Sequence, residues 1–199
     1  KTGEVHIRVT ASGEDTKAAG KAIKPVVKEL KSRFGADIYS TKAETTLEMA
    51  VADLLMANDL TVTTAESCTG GMIAARIINV PGVSECYKAG LVTYSNKAKR
   101  KILDVNKATL KKYGAVSKET AKEMADGIRL QSGADIGIST TGYAGPTGAP
   151  GLIGQVFIAV STEEDCNAYE VNLKGNRERV RDGAVLNALN LLRKQIIAK

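Results

Sequence analysis

Tryptophan is absent from the 199-residue sequence, and phenylalanine and tyrosine together bring the aromatic content only to 4%. Surfaces that hold single strands by stacking bases on rings are therefore in short supply. The core has to be built from Ala, Val, Ile and Leu. Histidine occurs once, as His6. A serine or cysteine nucleophile in the rest of the chain must then be activated by Lys, Tyr, Asp or Glu, not by the imidazole of a Ser-His-Asp or Cys-His site. The three cysteines, Cys68, Cys86 and Cys166, are odd in number, far apart and without C-x-x-C spacing. That pattern fits neither a disulfide framework nor a zinc site, and it fits a reducing cytoplasm. No metal and no cofactor is expected. No apolar run approaches the roughly 20 residues of a membrane span, and no charged-then-apolar leader opens the chain. Starting on Lys1, the sequence reads as a piece of something longer.

Hydrophobic residues at 43% and charged residues at 25% are ordinary for a soluble globular protein. The length supports one full domain with a small appendage. The net charge of +6 would suit an anionic partner, although solubility alone accounts for an excess of this size.

The appendage is expected over residues 1–42. Residues 3–11 alternate Val5, Ile7 and Val9 with His6, Arg8 and Thr10, the period of a strand with one wet face. The next segment sets Lys17, Lys21, Lys24, Lys28 and Lys31 at spacings of four and three, opposite Ala19, Ile23, Val26, Leu30 and Phe34. This predicts an amphipathic helix with a basic stripe, kinked at Pro25 and stopped at Gly35. ADIYS then reads as a short strand, completing a small β-α-β unit.

Residues 43–199 form the main domain. Thr45 with Glu48 three positions later predicts a capped helix start. Beyond it the pattern alternates: strand 59–65, helix 69–79, strand 88–94, helix 96–103, helix 118–131, strand 135–141, strands 155–161 and 167–173, and helix 176–198. Alternation of this kind predicts an α/β/α sandwich, and the late adjacent strands predict a hairpin and hence a mixed sheet.

Three strand ends carry unusual chemistry. TAESCTGG, residues 64–71, places Ser67, Cys68, Thr69, Gly70 and Gly71 where a strand runs into a helix. Free backbone N–H groups and the helix dipole favour negative charge at such a junction. Ser67 or Thr69 could equally be a plain helix cap. LVTYSNKAKRK, residues 91–101, brings Tyr94, Lys97 and Lys99 to a second junction, where cations oppose the dipole and a lysine's pKa is depressed, as a lysine base requires. Residues 138–160 put a glycine- and proline-rich loop after a third strand, without the G-x-G-x-x-G or Walker A pattern. Arg177, Arg179 and Arg181 open the last helix, where an anion nearby would relieve their opposition to the dipole. In an open α/β sheet these ends gather on one side. Together they read as a Ser-Lys or Ser-Tyr-Lys hydrolytic site beside an anion-binding rim.

TTAESCTGGMIAARI, PGVSECYKAGLVTYSNKAK, GAVSKETAKEMA, TTGYAGPTG and GNRERVRDGAVLNALNLL, in this order and spacing, resemble the C-terminal domain of the CinA competence/damage-inducible family, known as nicotinamide mononucleotide (NMN) deamidase. Residues 3–40 are similar to the small KH-like unit that precedes it, and the family's large N-terminal molybdopterin-binding-like domain is missing. The resemblance implies hydrolysis of the NMN carboxamide to nicotinate mononucleotide and ammonia. It implies Ser67 as nucleophile and Tyr94 and Lys99 as the activating pair. Thr69, Gly70, Gly71, Lys97, Thr141, Gly142 and Arg181 would line the substrate, and a cytoplasmic homodimer is implied. Backbone N–H groups over Ser67–Gly71 would hold the oxyanion. Two departures stand out. The loop over 145–155 is short and lacks the family's lysine, and the KH-like unit lacks the G-x-x-G loop that clamps nucleic acid. Nucleic acid is therefore not an expected partner, despite the Lys17–Lys31 stripe. The alternative is a non-catalytic nucleotide- or protein-binding module linked to competence or DNA damage.

Overall fold

The computed structural model describes residues 3–148 and 151–198 and divides the chain into two compact units, 1–45 and 46–199. The first unit holds one long helix, α1 (Thr16–Phe34), followed by a 3-10 turn over Gly35–Asp37. Asp15 caps α1 by accepting from the Ala18 N–H at 2.6 Å, and Gly35 ends it. The helix runs through Pro25 as one element. The expected β-α-β unit is not formed. Neither 3–11 nor 36–40 is a strand among the described residues. No side chain of α1 is buried, and Val5 and Ile7 stand exposed. Alternation alone does not make a strand. Two short strands over one helix bury too little apolar surface to hold a ladder.

The second unit is a mixed five-stranded sheet in the order β2-β1-β3-β4-β5. Its strands are β1 (Val62–Glu66), β2 (Tyr87–Val92), β3 (Ile136–Gly142), β4 (Gln155–Ser161) and β5 (Cys166–Asn172). β1 runs parallel to both β2 and β3, whereas β4 is antiparallel to β3 and β5. Helices cover both faces, giving the expected α/β/α sandwich. On one side α6 (Lys118–Ser132) packs on β3, β4 and β5, with α4 (Asn96–Leu103) and α5 (Lys107–Tyr113) against it. On the other, α7 (Arg177–Ile197) packs on β3 and β4 and carries α2 (Leu47–Ala57) and α3 (Met72–Ile78). β4 is buried on both faces. Phe157 and Ala159 meet Ala121 and Ala125 of α6, and the alternate residues Val156, Ile158 and Val160 face the α7 side. Gly127 lets α4 and α6 touch, because a Cβ there would lie 2.1 Å from the Leu103 carbonyl oxygen.

Boundaries depart from the expectation where caps decide them. α2 is capped by Thr46, not Thr45, and Glu48 pairs with Arg76 instead of closing a capping box. α3 begins at Met72 and leaves residues 67–71 as a turn. α5 was not foreseen; its seven residues contain three lysines and no buried side chain, so they carry no apolar period to read.

The topology fixes where a site belongs. After β1 the chain passes to α3 on one face, and after β2 it passes to α4 on the other. Ligands of open α/β sheets sit beyond the carboxyl ends of strands at such a switch point. The ends of β1, β2 and β3 lie side by side there, with Glu66 registered between Val92 and Thr140.

Candidate active site

Ser67 is the first residue after β1. Its backbone N–H donates to the Thr140 carbonyl at 3.0 Å, so its position is locked to β3. Its hydroxyl accepts a hydrogen bond from Lys99 Nζ at 2.9 Å. Lys99 enters from the first turn of α4, which Ser95 caps by accepting from the Ala98 N–H at 3.1 Å. Only 1% of Lys99 is exposed, and burial pushes its ammonium pKa down from 10.5 to about 8. Nζ also donates to the Thr93 carbonyl at 2.8 Å and to the Tyr94 carbonyl at 3.4 Å. A neutral amine has two N–H donors and one lone pair. With both donors held by the two carbonyls, the lone pair is left for the Ser67 hydroxyl proton. No carboxylate pairs with Lys99 among the described residues. The Thr93 hydroxyl, also buried, has no hydrogen-bond partner among them.

Cys68 is buried, and desolvation raises its thiol pKa from 9.0 to about 11. It stays a thiol at neutral pH and is a poor nucleophile in that form. Of the two adjacent candidates, Ser67 is the one in contact with a base.

The turn between β1 and α3 is held from below by a residue that sequence inspection passed over. Glu66 is 1% exposed. Its carboxylate accepts from the N–H groups of Gly71 at 2.9 Å, Ile73 at 3.1 Å and Ala74 at 2.9 Å. Glu66 therefore caps α3 from the strand end, and neither Ser67 nor Thr69 does. An acid just ahead of a helix start was the available signal. Glu66 holds the Gly71 N–H and the Thr140 carbonyl holds that of Ser67, which removes both as oxyanion donors; the N–H groups of Cys68 and Thr69 lie against the Cys68 thiol, and that of Gly70 has no acceptor among the described residues. Gly70 and Gly71 take φ of +62° and +92°, the left-handed region that glycine enters without strain. They lie in the turn and not in the helix, which removes the apparent conflict with helix propensity.

The remaining expected residues sort by distance from this turn. Arg181 lies across it, donating from Nε to the Cys68 carbonyl at 3.0 Å and from a terminal nitrogen to the Thr69 carbonyl at 2.9 Å. The Thr69 hydroxyl pairs with that of Thr140 at 2.7 Å. Thr141, one residue on, points to the opposite face and donates to the Ala115 carbonyl at 2.7 Å. Strand alternation brings Thr140, not Thr141, to the site. Gly142 is packed against β4, where a Cβ would meet Val156 at 2.7 Å. Lys97 is exposed in the first turn of α4. Tyr94 reaches the pair through its carbonyl. The residue is 63% exposed, and its hydroxyl accepts from Arg177 at 3.3 Å instead of meeting Ser67. Among the described residues no His/Cys/Asp/Glu group is arranged to hold a metal, and no helix is long and apolar enough to cross a membrane.

Fold and site define an α/β domain with a buried serine–lysine pair at the carboxyl edge of a mixed sheet. The chain belongs to the CinA family. Residues 44–196 match the CinA C-terminal domain, and residues 1–40 match the damage-inducible protein CinA KH domain. It is 45% identical over its whole length to a competence-damage inducible protein of Clostridium novyi, and 43% identical over 99% of its length to a CinA-like protein of Dictyoglomus turgidum. The chain spans about half the length of these curated relatives, 48% in each case. Among solved structures, a CinA superfamily protein of Klebsiella pneumoniae matches 77% of this chain and 97% of its own at a TM-score of 0.75 and 37% identity. One from Escherichia coli matches 81% and 98% at a TM-score of 0.70 and 36% identity.

Proposed function

We propose that the domain is a cytoplasmic amidohydrolase that converts NMN to nicotinate mononucleotide and ammonia. The observation that carries this reading is the Lys99–Ser67 contact, with the lysine stripped of water and its remaining donors turned to backbone carbonyls. Neutral Lys99 takes the hydroxyl proton as Ser67 Oγ attacks the carboxamide carbon. The carbonyl oxygen becomes an oxyanion against the free N–H of Gly70 in the turn, where one preorganised donor is worth about 3–4 kcal/mol. Collapse of this intermediate breaks the C–N bond, and Lys99 returns the proton to the departing amine, releasing ammonia and leaving an acyl ester on Ser67. Water, deprotonated by the same lysine, attacks the ester carbon. The nicotinate carboxylate leaves and the proton returns to Ser67. The substrate identity comes from the resemblance of TAESCTGG and TYSNKAK to the NMN deamidases, and the cluster of arginines at the start of α7 suits a phosphorylated substrate. Ammonia release from NMN by the purified protein tests the proposal. Turnover is expected, and binding of NMN without turnover would favour the non-catalytic module instead.

A further inference from the structure

The two arginines that face the site from α7 are not equivalent. Arg177 and Arg181 are four residues apart and so share one helix face, while Arg179 between them packs against the Gly175 backbone. Arg181 is spent on the turn carbonyls at Cys68 and Thr69. Arg177 bridges two loops, donating to the Gly145 carbonyl at 2.8 Å and to the Tyr94 hydroxyl at 3.3 Å. These are neutral acceptors. Among the described residues the ion pairs are Arg33–Glu29 and Arg76–Glu48, and neither involves these arginines. A guanidinium has five N–H donors in a planar fork that matches the oxygens of a phosphate, and Arg177 uses two. It is exposed, so a ligand can reach the rest. Two cations one turn apart on the same face, at a helix start that itself favours anions, repel each other and oppose the dipole unless an anion sits with them.

We propose that Arg177 is the specificity-determining residue of this site. It binds the phosphate of the substrate at the outer rim, held in place by Gly145 and Tyr94, and thereby selects nucleotide amides over the same amides without phosphate. Arg181 below it keeps the nucleophile turn in shape. The inference rests on the reading of NMN as substrate and names the residue that recognises its phosphate.

The experiment compares NMN with its dephosphorylated nucleoside on the wild-type protein, Arg177→Ala and Arg177→Lys, by turnover and by calorimetric binding to the same proteins carrying Ser67→Ala. Arg177→Ala should lower kcat/KM for NMN about 10- to 100-fold, the range of a charge-assisted contact, and leave the nucleoside within about twofold. Arg177→Lys should fall between, since it keeps the charge and loses the fork. Equal losses on both substrates would overturn the proposal, because a merely structural role would reduce them alike. If the wild type hydrolyses neither compound, the amidase reading fails, while binding still decides the subsite. Tighter binding of NMN than of the nucleoside, lost in Arg177→Ala, supports it, and equal binding overturns it.

Discussion

Raising the pH from 7 to 9 should increase both the activity of this domain and its stability, and for the same reason. Lys99 has a folded-state pKa of about 8 against 10.5 for the free side chain, because burial disfavours the ammonium. At pH 7 about one tenth of the molecules hold the neutral amine that can accept the Ser67 proton, and at pH 9 about nine tenths do. kcat/KM for NMN should therefore rise about tenfold over this interval and level off above it. The folded pKa lies below the unfolded one, so between about 8 and 10.5 the unfolded chain binds more protons at this residue, and the Lys99 contribution to stability rises with pH there. It is opposed above about 9 by the buried Cys68 and Cys166 thiols, whose pKa values burial raises to about 11 and about 12. The gain is on the order of 3 kcal/mol, from about 2.5 pKa units at 1.36 kcal/mol each. Lys99→Met should abolish turnover and lose this rise. Its offset at pH 7 is smaller, because the freed Thr93 and Tyr94 carbonyls each cost about 1 kcal/mol. Urea unfolding of both proteins at pH 7, 9 and 10.5, beside ammonia release from pH 6.5 to 9.5, provides the assay. A flat activity profile, or parallel stability curves for wild type and Lys99→Met, would refute the assignment of Lys99 as a buried neutral base.

Three further variants test the turn after β1 and its glycine backbone. Glu66→Gln should destabilise the domain by about 2 kcal/mol in urea unfolding, because an amide cannot accept from all three N–H groups that the carboxylate holds; a change under about 0.5 kcal/mol would contradict the capping role. Gly70→Ala should cost about 1–2 kcal/mol for its left-handed backbone and also reduce turnover, since its Cβ would lie 3.3 Å from the Arg181 guanidinium. Gly82→Ala, strained alike but with nothing within 4 Å, should lose stability without losing activity.

The sheet domain was legible because its signals are local and mutually consistent. β4 was placed at its observed bounds, since a run of apolar residues between glycine-rich and acidic turns has one reading. The same logic failed on residues 3–11, where a clean alternation has no apolar surface to pack on. Ser67 and Lys99, offered by two different strand ends, meet in the fold at 2.9 Å, and the single histidine had already narrowed any base there to few residue types. What the sequence did not disclose was orientation. Tyr94 and Lys99 stand five residues apart and were paired in expectation, but one contributes a carbonyl and the other its amine. Thr140 and Thr141 differ by one position and face opposite sides of the sheet. Glu66 was hidden because a glutamate inside a strand looks like a solvent-facing residue until the turn after it folds back over its carboxylate.

Side-by-side ammonia release from NMN by wild type, Ser67→Ala and Cys68→Ala bears most directly on the account. Ser67→Ala should fall by about 10³-fold or more, as expected for loss of a nucleophile, with Cys68→Ala within a few-fold of wild type. Activity retained in Ser67→Ala and lost in Cys68→Ala would contradict it.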